Sequence, residues 1–326
     1  MNASISDRAG SLASSLLKGA YYTYVGAAMS CLSRYPVGTN VYEREWDALL
    51  ILDTCRVDAL RAVASEYDFL PADTEIGSIR SVGTKSAEWI AQTFSEPYLE
   101  DVGRTALVTA NAYTQRVIEE RQFPDDGRGF SAPAWRTVRA ADFLYLDQPW
   151  RYAPDSGLSH IPLPRPVTER AIAVGREIDP GRLVVHYNQP HYPFTARARA
   201  EGREYLHDHE RDPFTYLREG GAFDLVWATY LDELRWVLDE VEILLSNLDA
   251  ERVAVSADHG EAFGEWGIYR HVYGLPHPKM ARVPWAVTSA ADEGTFEPTL
   301  SPPAAETRES TPGDAAEQLR HLGYVE

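Results

Sequence analysis

Five short apolar runs punctuate the chain, at 48–52, 105–109, 182–186, 252–257 and 283–288, each ending in polar residues and followed by a helical or loop-rich stretch. Their near-continuous hydrophobicity predicts strands covered on both faces, as in a parallel sheet. Across 223–248 the spacing changes: Leu231, Leu234, Val237, Leu238, Val241, Leu244 and Leu245 recur at helical intervals, predicting a long amphipathic helix. Strands alternating with helices predict an α/β fold, doubly wound, with a mostly parallel central sheet sandwiched by helices. The stretch 195–221 is polar, Arg-rich and weakly periodic, and reads as an insertion or lid. From 290 to 313 Pro, Thr, Ser, Glu and Ala dominate, a linker composition. The expected organisation is an N-terminal helical segment over 1–40, a catalytic domain over 41–290, and a linker with a C-terminal helix over 291–326.

Composition changes this picture in two respects. The 326 residues carry a formal net charge of -18, with only three lysines (Lys18, Lys85, Lys279), so arginine supplies nearly all the positive charge. Self-repulsion of such a surface is screened at high salt, which points to a halophilic protein of a salt-rich cytoplasm and away from nucleic-acid partners. Between Lys18 and Arg34 lies a moderately apolar stretch, too short for an ordinary spanning helix and interrupted by Gly and Ser. A helix packed on the domain is expected there, with peripheral membrane contact as the alternative. No secretory pattern is present in the sequence, so the expected location is cytoplasmic. Cys31 and Cys55 have no metal or redox spacing.

Candidate chemistry sits at strand ends, where open α/β sheets hold their ligands. Asp53 follows Leu49-Leu50-Ile51-Leu52, and the run Val253-Ala254-Val255-Ser256-Ala257 delivers Asp258, His259, Gly260 and Glu261. A carboxylate and an imidazole at a strand end make half of a zinc or manganese site. On the residues alone each segment also reads as a helix cap or a turn.

Together these residues resemble the alkaline phosphatase and sulfatase superfamily. Asp53 with Arg56 and Asp58 looks like its opening strand motif, and Ser256-Ala257-Asp258-His259-Gly260-Glu261 like its late metal motif, continued by Gly264-Glu265 and His271. Further matches are His191-Tyr192-Pro193-Phe194, the helix at 230–241 and the closing 319–324. The resemblance covers most of 46–326, leaving out 195–221 and the first 40 residues. It implies a metal-dependent hydrolase or transferase of phosphate or sulfate esters. Gly83-Thr84-Lys85-Ser86-Ala87 is similar to the loop carrying the threonine nucleophile of the superfamily's phosphoethanolamine transferases. That implies Thr84 as a metal-bound attacking hydroxyl, with Lys85, Ser86 and a helix N-terminus holding the anionic ester. Thr84 and Ser86 also read as simple helix caps.

Departures from the pattern matter as well. Neither Cys31 nor Cys55 lies in the C/S-x-P-x-R signature that makes formylglycine, and Cys55 is expected to pack. Two-metal members carry an Asp four residues before the histidine matched by His191; here that position is Tyr187, so His191 is expected on the substrate. His271 is left as a second-ion ligand or the proton donor to the leaving group. His186 and His277 receive no firm role, and His207 and His209 are expected on a solvated loop. The implied mechanism has Asp53, Thr84, Asp258 and His259 holding one zinc or manganese ion, with a second site open. Thr84 attacks a small-molecule, glycan or lipid ester, and the covalent phospho-threonine is released by water or an acceptor. The competing reading is a catalytically degenerate sulfatase-like protein that binds anionic glycans or a partner without turnover.

Overall fold

The computed structural model describes residues 5–124, 131–154, 157–158 and 161–303, with 5–18 described as backbone only. Its strands are β1 (Ala48–Leu52), β2 (Gly77–Arg80), β3 (Thr105–Thr109), β4 (Tyr145–Asp147), β5 (Arg182–Tyr187), β6 (Ala250–Ser256), β7 (Ala262–Phe263), β8 (Tyr269–Arg270) and β9 (Arg282–Ala290). Its helices are α1 (Ile5–Leu32), α2 (Val57–Val63), α3 (Ser86–Thr93), α4 (Leu99–Val102), α5 (Pro164–Ile178), α6 (Ala196–Ala200), α7 (Asp208–Arg211), α8 (Pro213–Arg218), α9 (Phe223–Leu245) and α10 (Pro278–Ala281).

Seven strands form one sheet in the order β2-β9-β6-β1-β5-β3-β4. β6, β1, β5, β3 and β4 run parallel, while β9 is antiparallel to both of its neighbours. The five apolar runs all become strands of this sheet, and the doubly wound α/β class is observed. Side chains alternate along β1, so it feeds two cores. Leu50 and Leu52 pack with α2, α5 and α9 through residues such as Leu60, Ile172 and Leu234. Leu49 and Ile51 pack on the other face with Trp46, Trp89 and Ile90. Each such leucine contributes about 1.5–3 kcal/mol by leaving water, so truncating Leu50 to Ala costs on the order of 2–5 kcal/mol.

Helix α5, which the apolar spacing did not single out, starts on Pro164 and stops at Asp179, whose φ of 48° lies in the left-handed region. The 195–221 stretch is more ordered than its weak periodicity suggests. It forms α6, α7 and α8, buries Leu206 and Phe214, and is tied to α9 where Glu233 accepts the amides of Thr195 (2.7 Å) and Ala196 (2.8 Å). The described part of the expected linker lies on the domain: Asn247 accepts the Phe296 amide at 2.7 Å, and Arg170 donates to the Leu300 carbonyl at 3.0 Å. The expected C-terminal helix and the 319–324 motif fall outside the described residues. Helix α1 buries Val25 and Met29, and no helix among the described residues is long and apolar enough to cross a membrane.

Candidate functional site

Parallel pairing brings the strands to a common end. Ile51 pairs with His186 on one side and Ser256 on the other, and His186 pairs in turn with Thr109. The carboxylates therefore emerge just past this level, Asp53 directly after β1 and Asp258 two residues after β6. His186 shares the face of its neighbour Ile51, with its ring 5.5 Å from Trp89 in an edge contact. Tyr187 faces the opposite core, its hydroxyl 2.9 Å from that of Thr168, so it supplies nothing to the site.

Asp53, His186 and Asp258 present ligand atoms within 4.8 Å of one another. His259 Nε2 lies 3.7 Å from Asp53 Oδ1 and 3.5 Å from Asp258 Oδ2. Its Nδ1 is 2.9 Å from the Gly260 carbonyl, which places the proton on Nδ1 and turns the Nε2 lone pair toward the carboxylates. Asp258 Oδ1 accepts the amides of Thr54 and His259, but Asp258 Oδ2 and His186 Nε2 are buried without a hydrogen-bond partner. Such atoms cost about 1–3 kcal/mol each unless something else satisfies them. Converging carboxylate oxygens and imidazole nitrogens are the donor set of a zinc or manganese ion, so these residues fit one. Burial, reinforced by the charges of Asp258 and Glu261, pushes the Asp53 carboxyl well above the usual range. Burial also drags His186 down to about 4 and lowers His259, leaving the neutral imidazoles that ligation requires.

Two hydroxyls compete for this centre, and they part ways. Ser86, the first residue of α3, holds its Oγ 3.3 Å from His259 Nε2 and 3.4 Å from Asp53 Oδ2. Thr84, expected to bind the ion and attack, turns elsewhere. Its Oγ1 lies 3.0 Å from Glu88 Oε2 and 2.8 Å from the Val272 carbonyl, and accepts the Gly274 amide at 3.1 Å. One hydroxyl proton already faces two acceptors there, so the structure does not bring Thr84 to Asp53, Asp258 and His259. Burial pushes the Glu88 carboxyl up to about 7, against the pull of the Thr84 amide and hydroxyl. Two glycines make these close approaches possible. A Cβ on Gly83 would stand 2.4 Å from the Trp89 amide nitrogen, and one on Gly260 would stand 2.1 Å from the Lys279 carbonyl oxygen.

A second group follows from the hairpin β7–β8. Its register pairs Ala262 with Arg270 and Phe263 with Tyr269, so one step outward Glu261 stands across from His271. Glu261 Oε2 is 3.0 Å from His271 Nδ1, and His191, Glu261 and His271 present ligand atoms within 4.8 Å of one another. The His271 ring centroid is 4.4 Å from that of His259 and 5.3 Å from that of His191. Burial raises Glu261 well above the carboxylate range and lowers His191 and His271 well below that of free imidazole. Lys85 rests its amine 4.6 Å from the centre of the Tyr273 ring, and burial lowers it to about 8.

The remaining motif residues brace the site rather than enter it. Arg56 pairs with Asp58 and Glu265, each at 2.7 Å, and Lys279 joins Asp58 at 2.6 Å. Cys55 is fully buried, and His277 lies under the Trp266 ring at 4.4 Å. His207 and His209 stack at 5.6 Å on the insertion. Three contributors carried no site assignment in the sequence reading: His186, Glu261 and Asn111, whose amide donates to Asp53 Oδ2 at 3.0 Å. Strand register is the signal for His186 and hairpin register for Glu261; nothing local marks Asn111.

No known family's model and no curated protein matches the chain. Among solved structures it is similar to the soluble domain of lipooligosaccharide phosphoethanolamine transferase A from Neisseria meningitidis, with TM-score 0.46 and 16% identity over 74% of this chain and 75% of that one. It is also similar to the C-terminal periplasmic domain of a phosphoethanolamine transferase from Campylobacter jejuni, with TM-score 0.43 and 16% identity over 74% and 78%. A third is phosphonoacetate hydrolase from Sinorhizobium meliloti, with TM-score 0.30 and 15% identity over 69% and 60%. At these identities the side-chain chemistry is read from this chain's own residues.

Proposed function

We propose that this chain is a metal-dependent enzyme acting on phosphate or sulfate esters, with Ser86 as its attacking hydroxyl in place of Thr84. The observation that carries the reading is the position of Ser86 Oγ, within 3.4 Å of both Asp53 and His259 at the start of a helix. Asp53, His186, Asp258 and His259 would hold the ion, zinc or manganese. A cation bound there supplies Lewis acidity and eases deprotonation of a neighbouring hydroxyl.

The chain's own residues do the rest. The Lys85 amine and the N-terminus of α3 hold the anionic ester. Ser86 Oγ forms the new bond to phosphorus as the ester oxygen leaves with its electron pair. His271, held by Glu261 through Nδ1, accepts the Ser86 hydroxyl proton on Nε2 and passes it to this leaving oxygen, and His191 binds a non-bridging oxygen. Water or an acceptor hydroxyl then breaks the phospho-serine. His191, Glu261 and His271 also have the donor set of a second ion, which metal stoichiometry decides.

The test combines elemental analysis with turnover of p-nitrophenyl phosphate, bis-p-nitrophenyl phosphate and p-nitrophenyl sulfate, in high salt with zinc or manganese. Turnover that disappears in Ser86→Ala, with a phosphoryl adduct on the Ser86 peptide of quenched wild type, is expected. Folded, metal-loaded protein that turns over none of the three would instead favour a binding protein for anionic glycans or a partner.

A further inference from the structure

The loop 83–86 and the segment that follows His271 touch through one small hydrogen-bonded knot. Glu88 Oε2 accepts the Thr84 amide at 2.8 Å and lies 3.0 Å from its hydroxyl. The same hydroxyl reaches the Val272 carbonyl at 2.8 Å and accepts the Gly274 amide at 3.1 Å. Thr84 is two residues before Ser86, and Val272 directly follows His271. On the far side lies a cavity of about 260 Å³, lined by Thr84, Glu88 and Gly274 and by Ala28 and Leu32 of α1. Ala28, Met29 and Leu32 of α1 come close to Gly274, while the Thr84 hydroxyl, through Glu88 and the Val272 carbonyl, joins the two segments beside this space. The Tyr24 hydroxyl of α1 donates to the Gly274 carbonyl at 2.9 Å and steadies the outer end.

From this we infer that Thr84 is a positioning residue. With Glu88 it clasps the Ser86 loop to the His271 loop and so sets the distance between the attacking hydroxyl and the proton-carrying imidazole. The inference rests on the reading of Ser86 above. It explains why a threonine so close to the reacting group spends its hydroxyl on the backbone 188 residues further along.

Thr84→Val keeps the side-chain shape and removes the hydroxyl. The expected result with p-nitrophenyl phosphate is a fall of about 10- to 100-fold in kcat, the effect of misplacing reacting groups by about 1 Å, with KM and metal content unchanged. Thr84→Ser restores the hydroxyl and most of kcat, whereas Ser86→Ala is inactive. Hydrogen exchange supplies a reading independent of turnover: in Thr84→Val the amides of 83–89 and of 272–274 lose protection together. Should Thr84→Val not fold, Glu88→Gln, which keeps volume, is read in its place and moves kcat in the same direction. Wild-type kcat in Thr84→Val, or a change confined to KM, overturns the clasp. So does a phosphoryl adduct on Thr84, with Thr84→Val as inactive as Ser86→Ala. If wild type turns over no ester, the functional reading falls and exchange alone judges the clasp. Joint loss of protection upholds it, and unchanged protection at 272–274 overturns it.

Discussion

Glu261 and His271 face each other at the base of a two-stranded hairpin, the carboxylate 3.0 Å from the imidazole Nδ1. A carboxylate in that place fixes the ring's tautomer and leaves Nε2 turned toward the site. Glu261→Ala is therefore expected to lower turnover by about 10- to 100-fold, the usual loss when an orienting partner of a site histidine is removed. Metal content separates the two roles of the group. A drop from two ions to one makes Glu261 a ligand, and an unchanged single ion makes it an orienting residue.

The centre beneath it gives a second expectation. Asp258→Ala and His259→Ala each remove a donor from a small set, and both should leave the purified protein without metal by elemental analysis. His186→Ala should weaken metal affinity as well, because His186 Nε2 is buried 3.7 Å from Asp258 Oδ2. Full metal content in all three variants would move the site elsewhere.

The carboxyl that fastens the insertion carries a pH signature. Burial raises Glu233 to about 7, although the amides of Ala196 and Thr195 pull it down. Its folded-state value exceeds the unfolded value near 4.5. As pH rises between the two, the unfolded chain releases the proton first, so the stability this residue contributes is complete below about 4.5 and declines toward 7. Glu233→Gln keeps a neutral acceptor for both amides. Its Tm should match wild type near pH 4.5 and exceed it by a few degrees near pH 8. Equal melting temperatures at both values would contradict the assignment.

A salt response is expected from composition. With a net charge of -18, the protein should lose circular-dichroism signal as salt falls from about 1 M to about 0.1 M and the Debye length grows from about 3 Å to about 10 Å. A spectrum indifferent to salt would remove the proposal that this is a halophilic protein of a salt-rich cytoplasm.

What the sequence determined by itself is local. Runs such as 48–52 are apolar enough to require cover on both faces, and a polar residue directly after such a run must lie where the strands end. Asp53, Asp258 and His259 were legible for that reason. The tertiary structure alone decided which neighbours join them. His186 enters because parallel pairing sets it beside Ile51, and Glu261 because an antiparallel hairpin sets it across from His271. Which of Thr84 and Ser86, two residues apart on one loop, lies beside Asp53 and His259 was beyond any local pattern. Contacts with Val272 and Gly274 engage the first hydroxyl, while the start of α3 turns the second toward Asp53 and His259. Hydrophobic periodicity reports which face of an element is buried, but a hydroxyl's direction is set by hydrogen-bond partners that only the folded chain brings within reach.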